Sequence, residues 1–220
     1  MTLPMQQIFQ KALALHQRGE LRRAQTLYEE VLRQEIRHFD SLHLLGLTHV
    51  QMGDPGQGVD YIRRALAVKA DFPEAYYNLG NALLSLQRPE EALANLDRAI
   101  QLYPKDPQYH FERGNALKDL QRLDEALASF AAAIRLFPGY AEAHNNTGIV
   151  LKEAERFEEA LHSYDQAIRL RAGYAEAHGN RGNVLKELGR LSEAMASYDQ
   201  AIRLKPDYAE AYSNRGNALT

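Results

Sequence analysis

A period of 34 residues runs through this chain without a gap, and it restricts what the chain can fold into more than any other feature. Setting position 1 at Met5, Phe39, Pro73, Pro107, Ala141, Ala175 and Ala209 aligns the whole sequence and leaves only Met1 to Pro4 outside. Self-similarity at a fixed period of about 20–50 residues marks stacked supersecondary units rather than one closed core. Small residues recur at three places in the unit. Position 8 is Gly46, Gly80, Gly114, Gly148, Gly182 and Gly216, with Ala12 in the first unit. Position 20 is alanine in five units, with Gly58 in the second, and position 27 is alanine in five, with Val31 in the first. Larger residues stand between them. Position 11 is mostly leucine, and position 24 reads Tyr28, Ile62, Leu96, Phe130, Tyr164 and Tyr198.

These spacings are helical. Positions 4, 8 and 11 share one stripe of a first helix, and positions 20, 24 and 27 share one stripe of a second. Gly or a polar residue near positions 15 and 16 (Gly19-Glu20, Gly53-Asp54, Gly189-Arg190) makes the turn between them, and Pro104, Pro138 and Pro206 at position 32 stop the second helix. No segment alternates with period two, so no sheet is expected. A hairpin this short cannot bury its apolar stripe alone, and stacking on its neighbours must complete the core.

This arrangement resembles the tetratricopeptide repeat. The residues that carry the likeness are Leu79-Gly80, Leu83, Ala92, Leu96, Ala99 and Pro104, with their echoes one period on. The resemblance implies an all-α fold: a right-handed superhelical solenoid of helix-turn-helix hairpins, with six full repeats and the first helix of a seventh. It makes residues 1–220 a single domain, with repeats at 5–38, 39–72, 73–106, 107–140, 141–174 and 175–208 and a partial repeat at 209–220. The first two repeats diverge most, with Lys11, His49 and Gly58 at positions usually apolar or alanine. The strings NLGNAL, NRGNVLKELGR and NRGNAL are further similar to repeats of O-linked N-acetylglucosamine transferases and related bacterial proteins. In that family a repeat superhelix recruits protein substrates for a catalytic domain. The expected function is therefore a protein-interaction scaffold that binds an extended peptide or a partner helix in its concave groove. The alternative is the substrate-recruiting arm of a larger protein-modifying transferase.

The inner wall of such a groove is formed by the first helices. Positions 2, 6, 9 and 13 lie opposite the 4/8/11 stripe and are free to line it. Position 6 holds Asn78, Asn146, Asn180 and Asn214, with Gln10, Leu44 and Glu112 in the other repeats, and position 9 holds Asn81, Asn115, Asn183 and Asn217. Position 2 is mostly acidic: Glu74, Glu142, Glu176 and Glu210. Asparagine is a poor helix residue, so eight on one face need a reason. A carboxamide offers both a donor and an acceptor, which suits the backbone of an extended peptide whatever its side chains. The competing reading has these amides bonding one another along the row and only shaping the fold. Tyr77 and Phe111 at position 5 are candidate aromatic anchors for a ligand, or else packing residues between adjacent first helices. Position 5 carries no lysine, and neither does position 2, so the family's carboxylate clamp for chaperone tails is absent.

Other chemistry finds little support. Net charge is -3 with no block of like charge, so neither nucleic acid nor a membrane surface is an expected partner. No stretch approaches 18 apolar residues. The absence of cysteine excludes disulfides, thiolate sites and a cysteine nucleophile. With an N-terminus lacking a basic start and apolar run, it makes a cytoplasmic location the expectation. His110, His144 and His178 recur at position 4, which invites a metal reading. But Ile8, Leu42 and Tyr76 occupy the same position elsewhere, which makes it a packing position, and no metal or other cofactor is expected. The acidic pairs Glu90-Glu91 and Glu158-Glu159 start helices, where they favour the helix dipole. Lys118, Lys152 and Lys186, each followed by an acid, read as a solvated edge. No phosphate loop or nucleophile elbow appears, so no catalytic residue is assigned to this chain. The seventh repeat lacks its second helix, which leaves Tyr212, Gly216 and Leu219 without the partner that earlier repeats supply. The expectation is a piece of a longer protein that associates with itself through this open end.

Overall fold

The structure is a computed structural model that describes residues 4–217. Among these residues the regular elements are all α-helices, and they follow the period. Helices α1 (Met5–Gln17) and α2 (Leu21–Gln34) form the first hairpin, α3 (Phe39–Gln51) and α4 (Pro55–Val68) the second, and α5 (Pro73–Ser85) and α6 (Pro89–Leu102) the third. They are followed by α7 (Pro107–Asp119) with α8 (Leu123–Leu136), α9 (Ala141–Glu153) with α10 (Phe157–Leu170), and α11 (Ala175–Glu187) with α12 (Leu191–Leu204). Helix α13 (Ala209–Asn217) comes last. The first helix of each hairpin has 13 residues and the second 14. Contacts group the chain into two compact units, Met1–Lys105 and Asp106–Thr220.

The turn inside each hairpin is set by one residue in the left-handed region. Position 15 has φ between 56° and 86° in all six hairpins, filled by Gly19, Gly53 and Gly189 but also by Gln87, Gln121 and Glu155. Helices end this way because two backbone N–H groups then reach carbonyls that the last turn leaves unpaired. In the fourth hairpin Gln121 N–H donates to Lys118 O at 2.9 Å and Arg122 N–H to Leu117 O at 2.9 Å. Arg122 then precedes the next helix, and its guanidinium grips Glu125 through two bonds of 2.7 Å. The same Arg–Glu fork recurs at Arg156–Glu159 and Arg190–Glu193. Proline opens α4, α5, α6 and α7, where its missing N–H costs nothing.

The two helices of a hairpin meet where position 8 faces position 24. A Cβ added at Gly114 would lie 2.5 Å from the Phe130 ring, one at Gly148 2.6 Å from Tyr164, and one at Gly182 2.6 Å from Tyr198. Gly80 faces Leu96 at 2.8 Å and Gly46 faces Ile62 at 2.7 Å in the same way. The large residue at position 24 is fully buried in all six hairpins. A second stripe on the first helices was not read from the sequence. Positions 3 and 10 are also buried, as Ala75 with Ala82, Ala143 with Val150, and Ala177 with Val184. They face the second helix of the preceding hairpin, so α5 packs on α4, α9 on α8 and α11 on α10. Helices α3, α5, α9 and α11 are thus held on two sides. Only the strip between those sides, with positions 6 and 9, is left for anything else.

Replacing Gly148 with leucine should destabilise the protein by at least about 1–3 kcal/mol, because the Tyr164 ring has nowhere to move. In hydrogen exchange the loss of protection should centre on α9, α10 and their immediate neighbours, since repeat stability is carried by nearest-neighbour contacts. Equal loosening of all helices would contradict that.

Candidate functional site

Within each unit successive first helices touch: α3 with α5, α7 with α9 and α9 with α11. That proximity decides the environment of the asparagine row. Asn146 Nδ2 donates to Asn115 Oδ1 at 2.8 Å, and Asn214 Nδ2 donates to Asn183 Oδ1 at 2.9 Å. Position 6 of one repeat therefore bonds position 9 of the repeat before it. Where position 9 is Ile149 the row takes a detour. Asn180 Nδ2 donates to Asn145 Oδ1 at 3.1 Å, and Asn145 Nδ2 donates to Asn146 Oδ1 at 3.2 Å. At the other end Asn115 Nδ2 donates to Glu112 Oε2 at 3.0 Å. The amides from Asn180 to Asn115 form one directional chain that ends on a carboxyl group. Burial pushes the Glu112 carboxyl above the usual range, against the opposing pull of Asn115 and Lys118.

In the first unit Asn78 Nδ2 donates to His43 Nε2 at 3.0 Å, and the Asn81 Oδ1 is buried with no hydrogen-bond partner among the described residues. Asn217 is exposed at the end of α13. Tyr77 is half-buried. Phe111 packs in its own unit, with its ring centroid 4.8 Å from Tyr140 and 5.8 Å from Phe130. Of the acidic position-2 residues, Glu176 pairs with Lys205 at 3.2 Å and Glu142 pairs with Arg171, so both face the ends of the second helices rather than the amide row. His144 and His178 each turn Nε2 to a loop carbonyl, Pro138 O at 3.4 Å and Ala172 O at 3.3 Å. Among the described residues there is no cluster of three or more His, Cys, Asp or Glu suited to a metal. Tyr212 is half exposed and an added Cβ at Gly216 would meet nothing, while Leu219 lies outside the described residues.

In the second unit, from Asn115 to Asn214, the arrangement is a strip of buried and half-buried carboxamides, each tied to a neighbour and each still holding capacity. A carboxamide has two N–H groups and two lone pairs, so one or two bonds along the row leave donors or acceptors for a further group. Two residues that belong to this network were missed from the sequence, Asn145 and His43, both at position 5. The signal for Asn145 was present: it stands in the one repeat where position 6 is asparagine and position 9 is isoleucine. The ring at position 24 joins the same network. Tyr198 O–H donates to Asn183 Oδ1 at 2.9 Å. Tyr164 has Ile149 in place of that acceptor, and its buried hydroxyl has no partner among the described residues. Burial raises all three of these phenols, Tyr28 and Tyr198 to about 12 and Tyr164 further.

A stack of antiparallel hairpins with glycine at the helix contact defines a helical-repeat scaffold. Tetratricopeptide-repeat family models match residues 9–30, 43–107, 114–154, 150–189 and 182–220. The chain belongs to the tetratricopeptide-repeat family, whose fold is a non-catalytic scaffold. Its fold is similar to that of PilF of Pseudomonas aeruginosa, with a TM-score of 0.81, 20% identity and 97% of each chain covered. A thermophilic repeat protein of Thermus thermophilus is 25% identical, covers 82% of this chain and 98% of its own, and has a TM-score of 0.65. YrrB, described as a repeat protein with an unusual peptide-binding site, is 19% identical over 86% of this chain and 97% of its own, with a TM-score of 0.69. No curated protein sequence matches the chain significantly.

Two outcomes follow from this network. Replacing Ile149 with asparagine should give the Tyr164 hydroxyl the acceptor that Tyr198 has. It should stabilise the protein by about 1 kcal/mol, read as a higher urea midpoint. The second concerns acid. Burial lowers the His43 pKa, opposed by Asp40 and Glu74, and the Asn78 bond needs the imidazole unprotonated at Nε2. The unfolded imidazole takes up its proton near 6.5 and the folded one at lower pH. The His43 contribution is therefore full above about pH 6.5 and is lost as pH falls from there toward the folded value. Protection factors in α3 and α5, with exchange corrected for its intrinsic pH dependence, should fall over that window, and His43→Leu should remove this pH dependence in those helices.

Proposed function

We propose that this chain is a protein-interaction scaffold whose first helices take up an extended polypeptide segment along the asparagine row. The observation that supports it is the part of the row in the second unit: Asn115, Asn146, Asn180, Asn183 and Asn214 are half-buried, held in orientation by neighbouring side chains and still able to donate or accept. Fixing a side chain before binding lowers the ordering cost on association. A peptide backbone offers N–H and C=O groups at regular intervals, and amides can pair with both without reading side chains. The partner class is therefore a polypeptide bound mainly through its main chain, with Tyr77 as a candidate apolar contact beside the row. The peptide-binding description of YrrB agrees with this reading for a protein of similar fold. If the chain is joined to a transferase domain, the same strip would present protein substrates to it. The proposed setting is the cytoplasm.

The test begins with a partner recovered by affinity capture, whose binding segment is then synthesised. Calorimetry with Asn146→Ala, Asn180→Ala and Asn214→Ala should each show a loss of about 0.5–1.5 kcal/mol. Thermal unfolding reports separately what each change costs the fold. Affinity unchanged in all three, with stability reduced, would show that the row only holds helices together.

A further inference from the structure

The second unit carries another surface, remote in register from the amide row, at the C-terminal ends of its second helices. Most arginines of this unit are neutralised at fixed offsets. Arg156 pairs with Glu159, Arg171 with Glu142, Arg181 with Asp165 and Arg215 with Asp199. Arg135, Arg169 and Arg203 differ. All three stand at position 29, all are exposed, and none makes an ion pair or hydrogen bond among the described residues. The next residue in each repeat is an exposed leucine: Leu136 is 37% exposed, Leu170 41% and Leu204 37%. Phe137, beside the first of them, is 51% exposed. One turn and two turns back along these helices, positions 26 and 22 are Ala132 and Ala128, Gln166 and His162, and Gln200 and Ala196. The other residue one turn back, at position 25, is Ala131, Asp165 and Asp199, and the two carboxylates are held by Arg181 and Arg215 rather than by the position-29 arginines. Three unpaired guanidinium groups with three exposed leucines, repeated once per hairpin, make a row that is both cationic and apolar. These arginines hold no other described residue in place, and about two-fifths of each leucine is left to solvent.

We propose that this row, Arg135, Arg169 and Arg203 with Leu136, Leu170 and Leu204, is a second docking surface, and that it takes an acidic polypeptide segment bearing leucine-type side chains. Charge complementarity selects the acidic residues, since each guanidinium has its fork of donors free for a carboxylate. The exposed leucines select apolar side chains interspersed with them. A segment rather than a single group is required, because the cationic sites recur one per repeat along the stack. Arg169 and Arg203 also lie near enough to His144 and His178 to oppose their protonation, adding to the effect of burial. A carboxylate placed between them would reverse that influence, which makes these imidazoles reporters for occupancy.

The experiment uses the full chain and a fluorescein-labelled synthetic peptide of alternating Glu-Leu-Glu-Glu composition, with anisotropy read at low salt. The peptide should bind, and the affinity should fall as salt is raised. Arg135→Glu, Arg169→Glu and Arg203→Glu combined should weaken it about tenfold or more. Leu136→Ser, Leu170→Ser and Leu204→Ser should also weaken it, and Asn146→Ala with Asn180→Ala should leave it unchanged, which separates this surface from the amide row. Histidine signals of His144 and His178 in NMR titrations should move to higher pKa in the complex. The proposal is overturned if the peptide does not bind, if the charge-reversed protein binds it as the parent does, or if only the amide-row changes matter. Binding to phosphatidylserine vesicles with no binding to the peptide would also overturn it, in favour of a lipid-facing edge.

Discussion

The contact on which the rest of this structure depends is the one between a glycine at position 8 and the bulky side chain at position 24. A glycine inside a helix costs about 1 kcal/mol relative to alanine, and this chain accepts that cost in hairpin after hairpin. What it obtains is a first helix lying directly on a phenol, a phenyl ring or a branched aliphatic group, with no room for even one methyl carbon at Gly114, Gly148 or Gly182. That distance sets where the opposite side of the first helix falls, and there alanine and valine at positions 3 and 10 meet the preceding hairpin. Small residues on both sides bring successive first helices near enough for asparagine side chains to bridge them. The amide row is a consequence of the glycine contact.

This dependence explains which parts could be read in advance. The hairpins, their order and the contact at positions 8, 11, 20, 24 and 27 follow from a period that repeats without insertion. The turn position was recognised through Gly19, Gly53 and Gly189, and it holds equally at Gln87, Gln121 and Glu155, where the closing hydrogen bonds maintain a backbone shape those residues rarely adopt. The second buried stripe was hidden because alanine is uninformative: it suits a packed helix face and an exposed one alike. The amide row was visible as a row, but its partners were not. Whether the asparagine at position 6 meets position 9 or position 5 of its neighbour follows a single residue: Asn180 bonds Asn145 where position 9 is Ile149.

Binding and structural readings of the row are often set against each other, yet the hydrogen-bond arithmetic makes them compatible. A half-buried carboxamide on a close helix contact must find partners, because an unmet polar group there costs about 1–3 kcal/mol. Asn146 and Asn183 meet part of that need within the fold. The fold cannot supply all four bonds of each amide, since one side of the strip faces away from the packed helices. In the proposed function, main-chain groups of a partner would take up that remaining capacity.

Periodicity converts any unsatisfied surface residue into a linear array, and the array determines what kind of partner can use it. A lone exposed arginine is an ordinary surface feature. Three at position 29, each followed by an exposed leucine, present the same local chemistry at successive steps along one unit. A small ion can occupy one step and gains nothing from the others. A chain molecule that reaches one step holds its next residues close to the second, so each further contact forms at high effective concentration. Individually weak exposed pairs, worth about 0.2–1 kcal/mol each, then add along the chain. The same reasoning applies to the amide row. A repeat scaffold built on one glycine contact therefore selects partners by length and spacing first, and by the chemistry of a row second.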